Sequence, residues 1–568
     1  MRGCSLAARA ATSGRTSRAR RNKARIALAL GLVAAAGSAG AAELLDANGF
    51  KLRWDDTVKY TTVWRLESPS DGLTHDANQD DGDRNFKSGL VSNRFDLLSE
   101  LDATYGQFGA RLSGAAWYDT SYTGSTDNDS PQTFNPLSVT PGHFVDSVRD
   151  LQGRKAELLD ALAFAKFEFG GVPGVVRFGK HTVVFGETLF FGSNGIAAAQ
   201  APVDVIKLLS VPNTQFKELL MPVPQVSTQL QLLSNLSLAG YYQLRWTRTR
   251  LPGAGSYFSN NDFLDVGGER VLVGPPLAPV PGFLPAALYR APDLEGRNSG
   301  QGGLAVHWRP TDLDVDFGLY AVRYNDKTPQ IYVIPGAGLN PPAGQVGEYQ
   351  LVFPNAVRAY GASFSTVIAD ANVAGEISFR RNAPLVSDAA PVPAPGAFDN
   401  SGHPAYAVGN TMHLNLSAIY VWEKSYLFDN ASFTGEVGWN SVQGVTRNPA
   451  ILDPNSSKTA LAFRLLFEPN YYQILHGLDA SVPLGLGYNP SGRSGAVGAF
   501  NGGATHGGDL SVGFKGTYLN RYKGSLNYTR YLGPEGTNLK LVNGAYQFSF
   551  NQSLKDRDFL SLSFQYTF

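Results

Sequence analysis

The chain has almost no sulfur and no long apolar runs. Of its 568 residues one is cysteine, Cys4, and three are methionine. Disulfide staples and thiolate zinc sites need more thiols than that, so both are excluded. Past the first 42 residues no run reaches 18 apolar residues, so no segment there can cross a hydrocarbon layer of about 30 Å as a helix. The eight histidines (His75, His143, His181, His307, His403, His413, His476 and His506) are scattered, with no HExxH spacing, and no GxSxG elbow occurs. These gaps point away from an enzyme, and no catalytic residue, metal or cofactor is expected.

The amino terminus carries Arg2, Arg9, Arg15, Arg18, Arg20, Arg21, Lys23 and Arg25 with no acidic residue, then the apolar run Ile26–Ala36 and small residues through Ala42. This reads as a cleaved signal peptide over residues 1–42, with Ala39-Gly40-Ala41 as the peptidase site. The run is too short for a membrane anchor. The pair Arg20-Arg21 lacks the apolar followers of a twin-arginine signal, and Cys4 precedes the run, so it is not placed for lipid attachment. Removing eight of the 48 basic residues leaves 40 against 48 acidic ones, a net charge of about −8. That balance offers no basic face to nucleic acid. The expected mature chain is 43–568, exported into a Gram-negative envelope.

What the sequence has in plenty is alternation. In Leu560–Phe568 one face carries Leu560, Leu562, Phe564, Tyr566 and Phe568, and the other Ser561, Ser563, Gln565 and Thr567. Successive side chains of a strand point to opposite faces, so this segment is apolar on one side and polar on the other. A terminal strand ending in Phe resembles the signal read by the outer-membrane insertion machinery. Met412–Trp422, Leu236–Trp246, Leu510–Tyr518 and Phe433–Asn440 repeat the pattern. The polar face carries charge in mid-strand: Arg94, Asp96, Glu100 and Asp102 in one strand, Glu376 and Arg380 in another, Arg464 in a third. A soluble sandwich would turn that face to bulk solvent. In lipid, backbone groups must pair within the protein, so strands must close into a barrel and the polar face becomes a hydrated lumen.

Connection lengths favour the barrel. Short links at Gly106-Gln107, Gly170–Gly174, Ser234-Asn235, Arg309–Leu313, Ile368–Asn372 and Leu519–Arg521 alternate with long stretches at Glu67–Leu90, Thr123–Leu158, Leu251–Gln301 and Asn382–Asn410. Short periplasmic turns and long outer loops are the mark of an outer-membrane barrel. The expected fold is all-β: a transmembrane antiparallel β-barrel of about 18 strands with nine outer loops, 16 strands being the alternative. Parity places Phe548–Ser553 in the last loop.

Gly186–Pro224 differs from every other loop. It is apolar, punctuated by proline and without a strand period. Val203–Leu209 and Asn213–Leu220 read as short helices, the second capped by Asn213 or Thr214. A segment this apolar is expected to fold inward as a plug or constriction carrying Glu187, Asn194, Asp204 and Lys207 into the lumen, against a basic counterwall of Arg177, Lys180 and His181. The other reading is a helical cap on the barrel mouth with its charges solvated. The run Asp76–Asp83 has oxygen ligands at calcium-like spacing, but Gly82 comes one place late for an EF-hand and the closing glutamate is missing. It is expected to be a solvated acidic loop.

An ordered series of short motifs runs through the chain: Trp64-Arg65-Leu66-Glu67, Asp80-Asp81-Gly82, Leu90-Val91-Ser92-Asn93-Arg94, Phe185-Gly186-Glu187, Asn194-Gly195-Ile196, Pro202-Val203-Asp204, Leu220–Pro224, Tyr257–Asp262 and Asp556-Arg557-Asp558-Phe559. The series resembles the proteobacterial family catalogued as domain of unknown function 1302, over essentially the whole mature chain. Phe185 stands where the family pattern carries Trp. The resemblance implies an outer-membrane barrel, often accompanied by a periplasmic lipoprotein-like partner and by exporters of hydrophobic compounds. It supplies no substrate and no catalytic residues. The expected function is a channel or facilitator for small hydrophobic or amphipathic molecules, in contact with outer-membrane lipids and lipopolysaccharide. A non-transporting barrel acting in envelope assembly or adhesion is the alternative, and an outer-membrane hydrolase a third.

Overall fold

The computed structural model describes residues 42–278 and 280–568; the leader reading falls outside these but for Ala42. Period-two segments become antiparallel strands, each paired with the next: β1 Phe50–Arg65, β2 Gly89–Tyr105, β3 Phe108–Asp119, β4 Arg154–Phe169, β5 Val172–His181 and β6 Val223–Leu233. The series continues with β7 Leu236–Gln243, β8 Gly302–Trp308, β9 Val315–Tyr324, β10 Val357–Ile368, β11 Ala371–Pro384 and β12 Val408–Trp422. It ends with β13 Asn430–Arg447, β14 Thr459–Leu475, β15 in two pieces (Leu478–Ser481 and Leu484–Gly492), β16 Gly508–Tyr518, β17 Tyr522–Leu532 and β18 Phe559–Thr567. β18 pairs with β1, Phe559 opposite Arg65 and Thr567 opposite Thr57, so the sheet closes on itself as an 18-stranded barrel.

β18 covers only the outer part of β1. The strand Ala42–Ala47 folds back on Phe50–Trp54 and covers the rest, which leaves the seam little unpaired edge. Pro483 explains the break in β15: proline offers no N–H to a ladder, and both pieces still pair with β14 and β16.

The outward faces are apolar. Leu414, Leu416, Val437, Phe514, Leu562 and Phe564 are exposed, while their neighbours His413, Asn415, Glu436 and Ser561 are buried inside. No helix among the described residues is long and apolar enough to cross a membrane; this barrel crosses with strands. Leu236–Trp246 departs from the expected pattern. The ladder ends at Gln243, and Trp246 is not on the lipid face but packs on Phe353, its indole donating to the Asp326 carbonyl at 3.1 Å.

The outer connections pack on one another. A five-stranded sheet forms from Arg270–Pro276, Pro285–Arg290, Gln330–Asn340, Gln345–Val352 and Ala390–Pro391. The last loop folds as a hairpin, Leu539–Val542 with Ala545–Phe548, outside the barrel ladder. The acidic run near residue 80 is not solvated. Asp80, Asp81 and Asp83 are buried, a short helix covers Asp81–Arg84, and a Cβ at Gly82 would strike the Ser259 carbonyl. Burial is affordable here because most of its oxygens meet donors, including the Asn135 amide on Asp81 and Arg65 and Arg557 on Asp83. Among the described residues no group of three or more His, Cys, Asp or Glu side chains could hold a metal ion.

Candidate functional site: a segment tethered across the bore

The third outer connection leaves β5 at His181 and returns at Val223. Its hydrogen bonds place it across the barrel. Glu376 of β11 accepts the Glu187 amide at 2.7 Å on one oxygen and the Ile196 amide at 2.8 Å on the other. Glu436 of β13 accepts the amides of Leu189 (3.2 Å), Phe190 and Phe191 (2.9 Å), and the Thr188 hydroxyl at 2.8 Å. Arg380 of β11 donates to the carbonyls of Ser193, Asn194 and Gly195, each at 2.9 Å. β5 and β11 to β13 lie six to eight strands apart in a ring of 18, so the segment spans the lumen.

Two glycines make this approach feasible. A Cβ at Gly186 or at Gly195 would collide with a Glu376 oxygen, and Gly186 also has φ +91, a conformation that favours glycine. The motifs Phe185-Gly186-Glu187 and Asn194-Gly195-Ile196 thus frame one carboxylate on a strand nearly 200 residues later.

Asn194 is fully buried at the anchor. Its amide nitrogen donates to the Asn415 side chain (2.7 Å) and to the Leu414 and Trp439 carbonyls, and its oxygen accepts from Asn440 at 3.1 Å and faces His413 at 3.0 Å. Glu376 is 4% exposed, Glu436 1% and Asn440 0%, so this wall is sealed from water. Buried carboxylates are tolerated because each receives several N–H donors.

The second half of the segment is wetter. Asp204 caps a helix over Val205–Ser210, accepting the Lys207 amide at 3.0 Å. Its other oxygen binds Arg250 at 2.7 Å, and Arg250 also holds Glu157 of β4 at 2.5 Å. Lys207 donates to the Glu218 carbonyl at 2.9 Å, and Leu208 is 42% exposed. Asn213 then reaches the opposite wall, donating to Ser511 of β16 at 3.0 Å. The expected second helix is only a single 3-10 turn, Phe216–Glu218, and neither Asn213 nor Thr214 caps it. Asn213 instead has φ +61 and spends its side chain on the wall. A 3-10 turn at Ile196–Ala199 carried no sequence signal.

The structure therefore brings Glu187, Asn194, Asp204 and Lys207 into the lumen on one segment, Glu187 through its backbone amide. Arg177, Lys180 and His181 do not face them. Lys180 and His181 pair in the ladder with Pro224 and Val223 at the end of the segment. Lys180 donates to the Leu158 carbonyl, and His181 is buried with its imidazole 2.8 Å from the Ser227 hydroxyl. Arg177 lies opposite Phe164 and Ser227.

The charged wall across from the anchor is β1 to β4. Arg94 pairs with Asp96 at 2.6 Å, and Arg111 with Glu100, Asp102 and Asp160. These side chains are 25 to 37% exposed. One wall of the lumen is dry and grips the segment; the other is charged and wet.

No curated protein matches the sequence. Solved structures similar to it include OccAB3 of Acinetobacter baumannii (10% identity, 91% of this chain and 99% of that one, TM-score 0.41). Others are Pseudomonas aeruginosa OpdK with vanillate (11% identity, 91% and 98%, TM-score 0.38) and the outer membrane channel DcaP of Acinetobacter baumannii (9% identity, 93% and 100%, TM-score 0.35). The family model described as Protein of unknown function (DUF1302) matches residues 22–568, and the chain belongs to that family.

Proposed function

We propose that this chain is an outer-membrane channel for small amphipathic molecules, narrowed by its own third outer loop. An 18-stranded barrel is wide enough for an aqueous passage unless something fills it. The observation that carries the reading is the tether of the 186–196 stretch to Glu376 and Glu436, which holds an apolar segment across a bore whose other wall is hydrated and charged. The lumen side of that segment mixes Leu208 with Lys207, which suits a solute with one apolar and one polar end. Passage is passive in this reading, and the chain does no covalent chemistry.

Val203 and Leu220 face each other as a β-bridge, so Asp204–Leu219 can be replaced by a short glycine linker with little strain. Liposome swelling with the variant is expected to admit larger solutes, and faster, than the native protein. Equal rates for every solute would remove the constriction. Absence of permeability in both proteins would remove the channel.

A further inference from the structure

In the narrowed lumen two ammonium groups lie in electrostatic range of each other without an ion pair among the described residues. Arg250, which holds Asp204 at the start of the Lys207 helix, shares the Trp117 ring with Arg94 of the wall. Lys59 of β1 points inward opposite Asp96 of β2, and Thr61 opposite Arg94. Asp96 is already bound by Arg94, at 2.6 Å to Nη2 and 2.7 Å to Nε. Lys59 has no ion pair among the described residues; it lies in electrostatic range of Asp96, Arg94 and Lys207. Lys207 comes from the transverse segment, and the one hydrogen bond of its ammonium among the described residues is to the Glu218 carbonyl. The neighbouring carboxylates are committed too. Glu157 holds Lys155 and Arg250, Asp204 holds Arg250 and the helix amide, and Asp119 takes Ser92, Asn93 and Ser121.

Like charges held together cost free energy, and in a lumen with low-dielectric walls their field concentrates a counter-ion. The cations are also crowded on one ring: Arg94 lies 4.7 Å from the Trp117 centroid, Arg250 5.7 Å and Lys155 5.8 Å. Arg94 and Asp96 are 26% and 28% exposed, so water and solute reach the place. Beside it the helix presents Leu208.

Resting on the channel reading above, we propose that Lys59 and Lys207, with Arg94 behind them, form an anion station in the bore. It takes the carboxylate of a small amphipathic organic acid, whose apolar part lies along the Val205–Ser210 helix. The station joins a fixed wall residue to a residue of the transverse segment, so it exists only while that segment lies across the bore. Selection is then by charge at a place where the segment also selects by size.

The test uses the full-length protein in planar bilayers and in detergent solution. Under a potassium chloride gradient the native channel is expected to prefer chloride. The K59E/K207E pair is expected to shift the permeability ratio towards potassium by at least about threefold. Hexanoate, and not hexanol, is expected to bind the purified protein, and K59Q and K207Q are each expected to weaken that binding about tenfold or less. A current with no anion preference, or one unmoved by the charge reversals, overturns the station and leaves the channel standing. Lys59-dependent hexanoate binding with no current keeps the station and overturns the channel. Neither binding nor current overturns both.

Discussion

Arg65 and Arg557, 492 positions apart, share the carboxylate of Asp83. Arg65 Nη2 lies 2.9 Å from Oδ1, and Arg557 Nη2 lies 2.8 Å from Oδ2. Arg65 ends β1 and Arg557 precedes β18, so the shared acid sits at the outer end of the seam where the barrel closes. Asp556 adds a second acid, 2.7 Å from Arg65, and the spare guanidinium N–H groups reach the carbonyls of Phe86 (2.8 Å) and Tyr257 (2.6 Å). Burial pushes the Asp83 carboxyl up, but Arg557 and then Arg65 outweigh it and hold it below the usual carboxylate range. The side chains are 0 to 3% exposed, so nothing screens them.

Asp83→Asn is therefore expected to leave two buried cations against one remaining carboxylate, Asp556. Breaking a buried pair by removing one partner costs roughly 3–5 kcal/mol. The measurement is the temperature at which the folded band on a gel gives way to the unfolded one. A variant as heat-resistant as the native protein would show that strand pairing alone holds the seam.

The same outer loops bury Asp81 without an ion pair, beside Asp80, which Arg84 holds at 2.5 Å. Burial, and then the Asp80 charge, push the Asp81 carboxyl up to about 8, and burial pushes Asp80 up to about 6. In the unfolded chain both titrate near the ordinary 3.8. Between these limits the folded form binds more protons, so each carboxyl disfavours the folded loops as pH rises. For Asp81 the loss begins near pH 4 and is complete above about pH 8. Thermal midpoints taken from pH 5 to 9 are expected to fall, and Asp81→Asn, which keeps one acceptor oxygen for either Asn128 or the Asn135 amide and removes the titrating group, is expected to flatten the slope whatever it costs in absolute midpoint. An identical slope in the variant would refute the assignment.

The barrel was legible because lipid and water each select one face of a strand, and that selection repeats every two residues. Leu416 and Ser417 declare their sides without knowledge of any partner. Glu376 and Glu436 show where this ends. Glu376 reads as a charge lining a wet bore and Glu436 falls on the polar row of Phe433–Asn440, yet both are sealed and hold backbone amides of a distant segment. An amide carries no mark in sequence, and the visible traces are the glycines at 186 and 195, which make room for a carboxylate. Trp246 continued an alternation after its strand had ended, because packing under the outer loops overrode the period. The run at Asp80 reads as solvated because Asn128, Asn135, Arg65 and Arg557, which bind Asp81 and Asp83, lie in other elements; only Arg84, the partner of Asp80, is local.

Face assignment is itself open to test. Leu416 points outward from β12 and is 48% exposed. Arginine there must pass its charge through hydrocarbon, a cost of about 2–4 kcal/mol near the midplane. His307 on β8 faces the lumen side of the wall beside Tyr320. Leu416→Arg is expected to lower the urea midpoint of the barrel in lipid vesicles, and His307→Arg to change it little. Equal losses would mean that the two positions share one environment.

In the proposed channel the tether decides how solute passes. Glu436 receives three backbone amides, the Thr188 hydroxyl and the Asn415 amide. Hydrogen bonds to a charged group contribute roughly 1.5–3 kcal/mol each. Glu436→Gln replaces one acceptor oxygen by a donor that would face amides which are themselves donors. With Glu376→Gln the segment loses its two carboxylate anchors on the dry wall and keeps Arg380 and Asn194 there, with Asp204–Arg250 and Asn213–Ser511 elsewhere. The double variant is expected to fold as a barrel, to conduct more per channel and to show noisier current, as the segment leaves and regains the wall. Glu468→Gln removes a carboxylate of the adjoining strand β14 that binds Lys515 and Ser481 instead of the segment, and is expected to leave single-channel current as it was. If the double variant conducts like the native protein and Glu468→Gln, the two buried carboxylates hold a part of the chain that does not limit flow.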